Sequence, residues 1–458
     1  MKGSMILVTT SLAAFLTPFI SSSITFLVPK IGENMNLSFY QAAVLPLIIL
    51  IPLASFMLLF GRLSDLIGRV LLFRFGLIIF IGGSLASFFS KNYNILVASL
   101  FILGTGSSII SANSTAIVSS KFTENRGFAL GINAMSVYLG LTMAPFVSGI
   151  MAQYLTWESI FLLVIPISTI SLLISLFTLR GEITGGNRIA IVGSAILAVS
   201  LVSISLYLSF GYIYGFLRLL PILYISLAFF LIFFIEESMS MNPLISFKMM
   251  KVKRTFLASN VAAALNYVAT FSIVFVFSIY LQVTLHVSPF LSGLYILPEP
   301  VFMVLMSPIS GRISDRISSR WIASIGMLII GLSFLVFFLL IAPSTIEILL
   351  ILAFLGVGFG MFSAPNTNSV MGSIKTEFSG FASGFLGTMR FIGQLLSILV
   401  ATTVFSITIP RYIMIGIFSG IYVSIGESYF QSFLYGFREI MLISSLISFA
   451  GAVASLMR

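Results

Sequence analysis

Four charged side chains lie inside long apolar stretches of the sequence, and they are its candidates for chemistry. They are Glu299, Arg390, Arg438 and Glu439. A charge at the centre of a lipid bilayer costs at least about 2.5–3.5 kcal/mol on insertion scales, so each one requires a partner or a watery cavity. Glu299 precedes the loop at Gly311 by twelve residues. Arg390 lies about as far into its own helix, so at ~1.5 Å per residue the two side chains reach the same depth and are able to meet.

A carboxyl group buried at this depth can bind and release a proton as its surroundings change. We therefore take Glu299 as the candidate proton-coupling group, with Arg390 as the residue that tunes its affinity for protons. The alternative is a static buried ion pair that only fixes the packing of two helices. Arg438 and Glu439 lie near the outer end of the last apolar stretch, where we expect a local pair or an extension of the side chains toward the interface.

The composition defines the surroundings of these residues. Hydrophobic residues make up 59% and charged residues 8% of the 458-residue chain, and its mean hydropathy is +1.16. A soluble domain carries about 25% charged residues. The apolar residues occur in runs of about 20, the length that crosses a bilayer. Because lipid offers no hydrogen bonds, such runs fold as helices that satisfy their own backbone groups. The predicted class is an all-α polytopic membrane protein in contact with membrane lipid.

The breaks between the apolar runs predict about fourteen membrane spans. Ends are placed where charged residues, or clusters of Gly, Asn and Ser, interrupt the runs. The two spans before residue 236 are the weakest, because only GYIYGF separates them. The predicted spans are 5–29, 41–60, 71–90, 94–118, 127–152, 157–179, 189–210, 216–235, 254–284, 288–310, 321–341, 345–370, 379–408 and 432–456.

Lysine and arginine residues lie mainly on one side of this arrangement. Seventeen of the 23 fall on one side and four on the other. Basic loops face the cytoplasm, so both termini are predicted to be cytoplasmic and the protein to lie in the plasma membrane. The same distribution accounts for the net charge of +10 and requires no nucleic acid as a partner. The chain has no cysteine, which excludes thiolate metal sites and cysteine nucleophiles, and no cofactor is expected.

A short loop sequence occurs twice. GRLSD at 61–65 recurs as GRISD at 311–315, an offset of 250 residues. Six helices of about 33 residues each span only about 200 residues, so the excess corresponds to two extra helices, the weak spans at 189–235. Parallel repeats are typical of transporters that bind substrate at the interface of two halves. The predicted organisation is an N-terminal six-helix bundle at 1–180, two inserted helices with a linker at 181–250, and a C-terminal six-helix bundle at 251–458.

The repeated loop, on the cytoplasmic side, has features suited to a gate. Its leading Gly61 and Gly311 allow two helices to approach closely around a turn. Asp65 and Asp315 are expected to accept hydrogen bonds from the first free amides of the helix that follows, and the arginines to pair with them or with nearby helix ends. Capping and anchoring alone would explain a single copy, but its repetition argues against coincidence. The candidate gating residues are Gly61, Arg62, Asp65, Gly68, Arg69, Gly311, Arg312, Asp315 and Arg316.

These loops resemble a signature of the major facilitator superfamily. GRLSDLIGR at 61–69 is similar to the superfamily's loop between its second and third helices, and GRISDRISSR at 311–320 is similar to the weaker C-terminal copy. In the fifth span, GLTMAPFVSG at 140–149 resembles the antiporter motif through Gly140, Pro145 and Gly149. Weaker similarities extend over nearly the whole chain: RG at 126–127, WESIF at 157–161, NPL at 242–244, YLQ at 280–282 and PN at 365–366.

With fourteen spans, the sequence most resembles the drug:proton antiporter branch, which contains EmrB and QacA. The resemblance implies the major facilitator fold, with two six-helix bundles and two inserted central helices. It also implies a secondary active transporter that works by alternating access. Such a protein would export a hydrophobic or cationic small molecule, with a proton as the coupling ion.

The sequence departs from that branch at three positions. The first helix of the branch usually carries an acidic residue, and the fourth usually carries an Arg followed by a Gln. Here Ile20 occupies the acidic position, and Leu100 and Leu103 occupy the other two. These departures favour the alternative, an uncoupled or differently coupled facilitator or exporter of a specific metabolite. The single histidine and scattered acids disfavour an enzyme, and neither a filter-like loop for a channel nor a G-x-x-x-x-G-K-[ST] loop for a nucleotide-driven pump occurs.

Polar side chains in membrane helices turn toward the bundle interior or toward a cavity. At mid-span they are candidates to face a substrate, and hydrogen bonds between helices are the alternative for many of them. With 46 phenylalanines in the chain, an aromatic cavity wall is expected, which suits apolar or cationic ligands. The candidates are Ser21, Ser22, Thr25, Asn113, Asn133, Tyr138, Asn266, Tyr267, Asn366, Asn368 and Gln394.

Overall fold

The computed structural model describes residues 2–179, 191–239, 254–284, 287, 289–340, 343–410 and 427–458, which are almost entirely helical. The first helices are α1 (Lys2–Asn34), α2 (Phe39–Ile67), α3 (Arg69–Phe88), α4 (Tyr93–Lys121), α5 (Arg126–Tyr154) and α6 (Ser159–Thr178). They are followed by α7 (Ile191–Tyr214) and α8 (Leu220–Met239). The remaining helices are α9 (Arg254–Thr270), α10 (Ile273–Thr284), α11 (Pro289–Ile296), α12 (Pro298–Ser314), α13 (Ser319–Leu339), α14 (Thr345–Gly372), α15 (Ser379–Thr408) and α16 (Glu427–Leu456).

The helices coincide with the apolar runs of the sequence, which confirms the predicted all-α polytopic class. Twelve helical stretches of the described chain are long and apolar enough to cross a membrane. Two further predicted spans correspond to α7, with its shorter apolar stretch Ala195–Gly211, and to the pair α9 and α10. The helices are therefore compatible with fourteen spans, and that number stays a prediction.

Two spans that we predicted as continuous are each divided into two helices. The span at 254–284 is interrupted at Phe271 and Ser272, between α9 and α10. Lipid cannot satisfy the backbone groups that such a break frees. The backbone N–H of Ser272 instead donates to Ser397 Oγ of α15 at 3.0 Å, and the Ser397 hydroxyl donates to Ser272 Oγ at 2.9 Å. The span at 288–310 is interrupted at Leu297, next to Pro298, which has no backbone N–H to continue the helical hydrogen bonds.

The helices form two groups that meet along two lines. Helices α1–α6 pack on one another as the first bundle, and α9–α16 pack on one another as the second. The bundles meet where α2 packs on α15 and where α5 packs on α12. The inserted α7 packs against α2 and α15, with Ser55 Oγ bonded to Ser205 Oγ at 3.3 Å, and α8 packs on α7. The predicted bundle boundaries at 180 and 250 lie outside the described residues and stay predictions.

The outward-facing surface of the helices is apolar. Phe177, Leu217 and Ile407 are among its most exposed side chains, at 86%, 84% and 82% of full exposure. Single exposed apolar residues are ordinary in soluble proteins, but contiguous apolar surfaces of this extent are not. The surface therefore matches a hydrocarbon surrounding, and the polar groups of the bundles face inward.

Candidate transport site and gates

The two bundles touch at the end that contains the repeated loops at 61–69 and 311–320, which we name the loop end. In the first contact, Asp65 of α2 lies at the N-terminus of α15. Its carboxylate oxygens accept hydrogen bonds from the backbone N–H groups of Gly380 and Phe381, at 2.8 and 2.7 Å. These N–H groups belong to the first turn of α15, so they have no acceptor within that helix. The carboxylate also faces the positive end of the helix dipole. Asp65 thus joins the first bundle to the second.

Arg69 completes this contact. Its guanidinium donates twice to Asp65 Oδ1, at 3.1 and 3.0 Å. It also donates to the carbonyl oxygens of Thr376 and Glu377, at 2.6 and 2.9 Å. Asp65 and Arg69, with the backbone of residues 376–381, form what we name the first gate. Asp65 and Arg69 therefore both bridge the two bundles, and the buried carboxylate of Asp65 holds the arginine in place.

A second gate has the same arrangement, but here the second bundle supplies the aspartate and the first bundle supplies the helix N-terminus. Asp315 of α12 accepts hydrogen bonds from the backbone N–H groups of Gly127 and Phe128, at 2.7 and 2.9 Å, in the first turn of α5. Each gate also contains a cation–π contact of its own. The Arg312 Cζ lies 5.9 Å from the centre of the Phe128 ring, as the Arg62 Cζ lies 5.5 Å from that of Phe378 in the first gate.

Hydrogen bonds between polar side chains stabilise the second gate. Arg126 Nε donates to Asn368 Oδ1 of α14 at 2.8 Å, and Asn368 Nδ2 donates to Ser314 Oγ at 3.0 Å. Arg126 therefore takes a place at this gate comparable to that of Arg69 at the first. Asn368 was predicted as a cavity residue, and the structure places it in this gate instead.

The predicted capping role of the loop aspartates is wrong in one respect. We expected Asp65 and Asp315 to cap the helix that follows each in the sequence. Instead each caps a helix of the opposite bundle. After Asp65, a tight turn at Gly68 leads straight into α3. Gly68 has a φ of 109°, in the region that favours glycine, and no side chain caps α3. Arg316 is exposed at the surface beside the second gate.

Glycines bring the gate helices into backbone contact. A Cβ at Gly61 would collide with the carbonyl oxygen of Gly380 and lie 2.9 Å from the Cα of Gly384. In the second gate, a Cβ at Gly311 would collide with the carbonyl oxygen of Gly127. Such close approach is the use of small residues between membrane helices. It lets the two aspartates reach the opposite helix ends.

The N-termini of α5 and α15, which the aspartates cap, were not singled out as a pair from the sequence. They do share a signal, because GFALG at 127–131 recurs as GFASG at 380–384. The offset of 253 residues is close to that of the GR-x-S-D loops. A search for a second repeat at a similar offset would therefore have identified both partners of the loop aspartates.

Replacing Gly61 by Ala is expected to weaken the first gate strongly. The added methyl group meets backbone atoms of α15, which cannot rotate away, so the helices must separate. Overpacking of this kind costs about 1–3 kcal/mol, or roughly a tenfold to hundredfold shift away from the closed gate. We expect substrate transport in proteoliposomes to fall by about tenfold or more on that scale. Gly82→Ala is the matched control, because a Cβ there has nothing within 4 Å, and equal loss in both variants would contradict the prediction.

At mid-depth, side chains from both bundles form an arginine–aromatic cluster, which we define as Tyr138, Tyr267, Phe359 and Arg390. The Arg390 Cζ lies 5.9 Å from the centre of the Tyr267 ring, and its Nη2 donates to Thr367 Oγ1 at 2.5 Å. Phe359 lies edge-on to Tyr138 and to Tyr267, with ring centres 5.7 and 5.5 Å apart.

The four residues of the cluster come from four helices, α5, α9, α14 and α15. Each lies 11–13 residues from the loop end of its helix. At 1.5 Å per residue this is a depth of about 16–20 Å. Tyr138 comes from the first bundle and the other members from the second. Arg390 and Tyr267 remain half-buried at this depth, whereas Tyr138 and Phe359 are buried. The cluster therefore lies where the two bundles face each other.

Glu299 lies apart from this cluster, so the expected ion pair with Arg390 is not found in the part of the chain that the structure describes. The Glu299 side chain is 3% exposed, and its Oε2 has no hydrogen-bond partner among the residues that the structure describes. A Cβ at Gly356 of α14 would collide with the Glu299 carbonyl oxygen. Gly356 precedes Phe359 by three residues, so Glu299 lies about one helical turn farther from the loop end than the cluster. Glu299 and Arg390 lie about equally far along their helices from the loops, but their side chains are not neighbours.

The first bundle has an apolar interior at the positions where the related branch has charges. Ile20, Leu100 and Leu103 are each fully buried, and all three belong to one hydrophobic core of α1–α6. Leu16 and Phe161 belong to the same core and are also fully buried. The departure seen in the sequence is therefore accommodated by packing, with no charged group at these positions.

The other cavity candidates differ in their hydrogen-bond partners. Asn133 Nδ2 donates to Ser114 Oγ at 3.0 Å, and Asn266 Nδ2 donates to Met327 Sδ at 3.2 Å, so both join helices within one bundle. Thr25 is exposed and donates to its own helix. For these residues the alternative interpretation, hydrogen bonding in or between helices, describes what the structure shows.

Three further candidates are buried and keep a polar atom without a partner among the described residues. These atoms are Asn113 Oδ1, Asn366 Nδ2 and Gln394 Oε1. The Asn366 Oδ1 accepts a hydrogen bond from Arg458 Nη2. Ser21 and Ser22 are half-buried. Of the predicted cavity residues, the structure brings only Tyr138 and Tyr267 together with Arg390.

The motif at 140–149 packs α5 against α1 inside the first bundle. A Cβ at Gly140 would lie 2.6 Å from the Phe15 carbonyl oxygen, so this glycine is required for close contact. At Gly149 the nearest atom is 3.7 Å away, in the ring of Phe26, which leaves room for a methyl group. Pro145 lies inside α5 between them. The role of the motif in antiport stays a prediction.

Arg438 is held differently from the expected local pair with Glu439. Its Nε donates to the carbonyl oxygen of Phe338 at 3.2 Å, and its Cζ lies 5.3 Å from the centre of the Phe338 ring. Phe338 lies in the last turn of α13, where carbonyl groups have no N–H donor within the helix and the dipole favours a cation. Arg438 is thus a structural cap that joins α16 to α13.

Comparison with known proteins supplies the family. Residues 10–398 match the sequence profile of the Major Facilitator Superfamily. The chain belongs to the Major Facilitator Superfamily. It is therefore a membrane transporter of small molecules and not an enzyme, and the predicted major facilitator fold is confirmed. Because the two halves are parallel repeats of each other, the loop of each half is expected to form the same contact with the opposite half, as the two gates do.

Several characterised members of the superfamily are similar in sequence. The chain is 27% identical over 389 residues to the riboflavin transporter RibZ of Clostridioides difficile (strain 630), with 84% of each chain covered. It is 27% identical to multidrug resistance protein 3 of Bacillus subtilis (strain 168), covering 76% of this chain and 69% of that one. It is 24% identical to the methylenomycin A resistance protein of the same strain, with 78% of each covered.

Two solved structures share the fold. The human organic anion transporter MFSD10 (TETRAN) aligns with a TM-score of 0.68 at 13% identity, covering 99% of both chains. The proton:xylose symporter XylE, bound to 6-bromo-6-deoxy-D-glucose, aligns with a TM-score of 0.66 at 14% identity, covering 97% of this chain and 94% of that one. At such low identity these structures establish the superfamily fold alone.

Proposed function

We propose that this major facilitator transporter exports hydrophobic organic molecules across the plasma membrane in exchange for protons. The observation that carries the proposal is the position of Glu299. Its carboxyl group is buried at mid-membrane, with one oxygen unpartnered, at the start of α12. The same helix ends at the second gate, with Gly311 and Asp315. A group that can take up a proton and a gate that must open are thus parts of one helix.

The packing of α12 suggests how protonation of Glu299 is coupled to the second gate. Gly356 and Gly360 of α14 bring their backbone against α12, at the Glu299 carbonyl oxygen and at Met306. A buried ionised carboxylate without a cation is costly, whereas the neutral carboxylic acid is tolerated. Loss of the proton therefore favours a state in which α12 shifts and water reaches Glu299. That shift moves Asp315 relative to the first turn of α5, which opens the second gate.

The arginine–aromatic cluster is the proposed substrate site. It contains side chains of both bundles at mid-depth, where a ligand would contact the two halves that must move. Its three rings offer apolar faces to hydrophobic compounds. Relatives named for multidrug and methylenomycin resistance support export of such molecules. For cationic substrates, which the family resemblance also implies, the cluster gives less support because its charged member is Arg390.

We propose in addition that the loop end faces the cytoplasm, as the distribution of Lys and Arg predicts. Both termini are then cytoplasmic. With both gates closed at that end, a substrate site at mid-depth is sealed from the cytoplasm. Release to the outside and reopening of the gates toward the cytoplasm would complete an export cycle by alternating access.

A proteoliposome experiment tests the coupling. The purified protein is reconstituted, a hydrophobic dye is supplied at equal concentration on both sides, and a pH gradient is imposed. We expect the dye to move against its own gradient toward the side with more protons, and a protonophore to abolish this movement. Dye movement that only equalises concentrations, with a rate independent of the pH gradient, would contradict the proposal.

The second candidate function is the uncoupled or differently coupled facilitator or exporter of a specific metabolite. The apolar positions of Ile20, Leu100 and Leu103 favour it, because the first bundle contains no charged group where the related branch has them. The similarity to a riboflavin transporter is also compatible with it. The same proteoliposome experiment separates the two functions, since only the coupled exporter concentrates its substrate.

A further inference from the structure

We infer that the arginine–aromatic cluster binds organic anions, with Arg390 as the counter-charge of an acidic group on the substrate. The inference deepens the proposed function, because it concerns the same site and names the charge of its substrate. It departs from the cationic substrates that the family resemblance implies.

The first step is the unbalanced charge of Arg390. Its guanidinium donates to one neutral acceptor, Thr367 Oγ1, and lies over the ring of Tyr267. It forms no ion pair with any acid in the described ranges. An arginine has five N–H donors and stays protonated, so one hydroxyl leaves most of its donors unused. A cation at mid-membrane requires either a partner or water, and Arg390 is half-buried, which leaves room for one.

The second step is the distribution of the acids. The chain has 13 acidic residues, and in the sequence only Glu299 and Glu439 fall inside an apolar run, with Glu439 near the outer end of its run. Glu299 is one helical turn beyond the cluster and packs on Gly356. Asp65 and Asp315 are engaged in the gates. A substrate is therefore the natural source of negative charge for Arg390.

The third step is the shape and chemistry of the surroundings. The ring of Tyr267 lies next to the guanidinium, Phe359 lies edge-on to the rings of Tyr267 and Tyr138, and the Tyr267 hydroxyl is a group that can donate to an anion's oxygens. A planar guanidinium binds a carboxylate or a similar group through two parallel hydrogen bonds. The fitting ligand is an aromatic or otherwise apolar molecule with one acidic group. A cationic ligand in the same place would be repelled by Arg390.

A binding experiment with two matched dyes tests the inference. Fluorescein methyl ester is an anion at mildly alkaline pH, and tetramethylrhodamine methyl ester is a cation with the same tricyclic core. Fluorescence anisotropy with the purified full-length chain in detergent gives the affinity for each dye. We expect the anionic dye to bind at least about tenfold more tightly, the equivalent of one charged hydrogen bond. Equal affinities, tighter binding of the cation, or no binding of the anion would overturn the inference.

Variants assign the preference to Arg390. Arg390→Gln is expected to weaken binding of the anionic dye by about tenfold to hundredfold and to leave the cationic dye unchanged or tighter. Arg390→Lys keeps the charge and should keep the preference for the anion. Arg438→Gln removes a cation that caps α13, and should change neither affinity. If Arg390→Gln does not fold, the comparison of the two dyes on the unaltered chain still decides.

The measurement also separates this inference from the proposed coupling. Binding in detergent requires no gradient, so a transporter without proton coupling would still show the preference for the anion. Conversely, tighter binding of the cation would overturn the inference and leave proton-driven export intact. Unchanged binding of the anion to Arg390→Gln would show that the acidic group binds elsewhere, which also overturns the assignment.

Discussion

Glu299→Gln is expected to abolish accumulation of substrate driven by a pH gradient while preserving exchange of substrate down its own gradient. Glutamine has nearly the shape of the protonated carboxyl group but can neither bind nor release a proton. The variant therefore keeps the packing of α12 on α14 around Gly356 and loses the charge change that drives the gate. The measurement is dye uptake in proteoliposomes with and without the pH gradient. Accumulation that persists in Glu299→Gln would exclude this residue as the coupling group.

Two further variants make the result specific. Glu347→Gln alters an exposed carboxylate in the capping box of α14, where it accepts from the Ser344 backbone N–H at 2.6 Å. A glutamine oxygen can accept the same hydrogen bond, so accumulation is expected to be unchanged. Glu299→Asp retains an ionisable group on a shorter side chain, so partial accumulation is expected. Equal loss in Glu299→Gln and Glu299→Asp would indicate that packing, and not proton transfer, is what the site requires.

Asp65→Asn is expected to destabilise the closed state of the loop end. The amide of Asn places an N–H donor against one of the two backbone N–H groups, of Gly380 or Phe381, and leaves Arg69 without its carboxylate. Breaking a buried pair by removing one partner costs about 3–5 kcal/mol, so the ratio of closed to open gate falls by at least about a hundredfold. We expect transport to decrease at least about tenfold on the same scale, because the cycle needs the closed state.

A cysteine reporter measures the opening directly. The chain has no cysteine, so a single introduced thiol gives no background. Leu58→Cys is suitable, because Leu58 is 3% exposed and its Cα would lie 3.0 Å from a Cβ at Gly384. Asp65→Asn should increase its rate of maleimide labelling from the loop end. Glu377→Gln is the control, since that carboxylate is 58% exposed and forms a surface ion pair with Lys375, at 3.7 Å. Labelling that Asp65→Asn does not accelerate would contradict the gate.

The gates show what sequence spacing can predict. The GR-x-S-D repeat indicated that both copies matter, and each copy does form a contact between the bundles. Their role in gating stays a prediction. The repeat did not indicate the partners, because an aspartate at a helix end can cap any helix N-terminus within reach. The nearest one in sequence, that of α3, begins at Gly68 without a side-chain cap. The partners of Asp65 and Asp315 lie 315 and 188 residues away, in the opposite bundle.

The charged residues at mid-span show the complementary limit. Glu299 and Arg390 were expected to meet because each lies about the same number of residues from a loop. The rise per residue determines depth, but the direction of a side chain depends on how helices pack around each other. Glu299 packs on α14 at Gly356, whereas Arg390 turns toward Thr367 and Tyr267.

The sequence by itself determined that the chain is a polytopic helical transporter built from two related halves. Burial in lipid requires long apolar helices, and the repeated loop is visible in the amino-acid sequence. The sequence also indicated which few charges lie within the apolar runs. Only the tertiary structure decided which groups meet: Asp65 with the amides of α15, and Arg390 with Thr367 and Tyr267. Those contacts depend on the lateral packing of helices far apart in the chain, which periodicity and spacing do not specify.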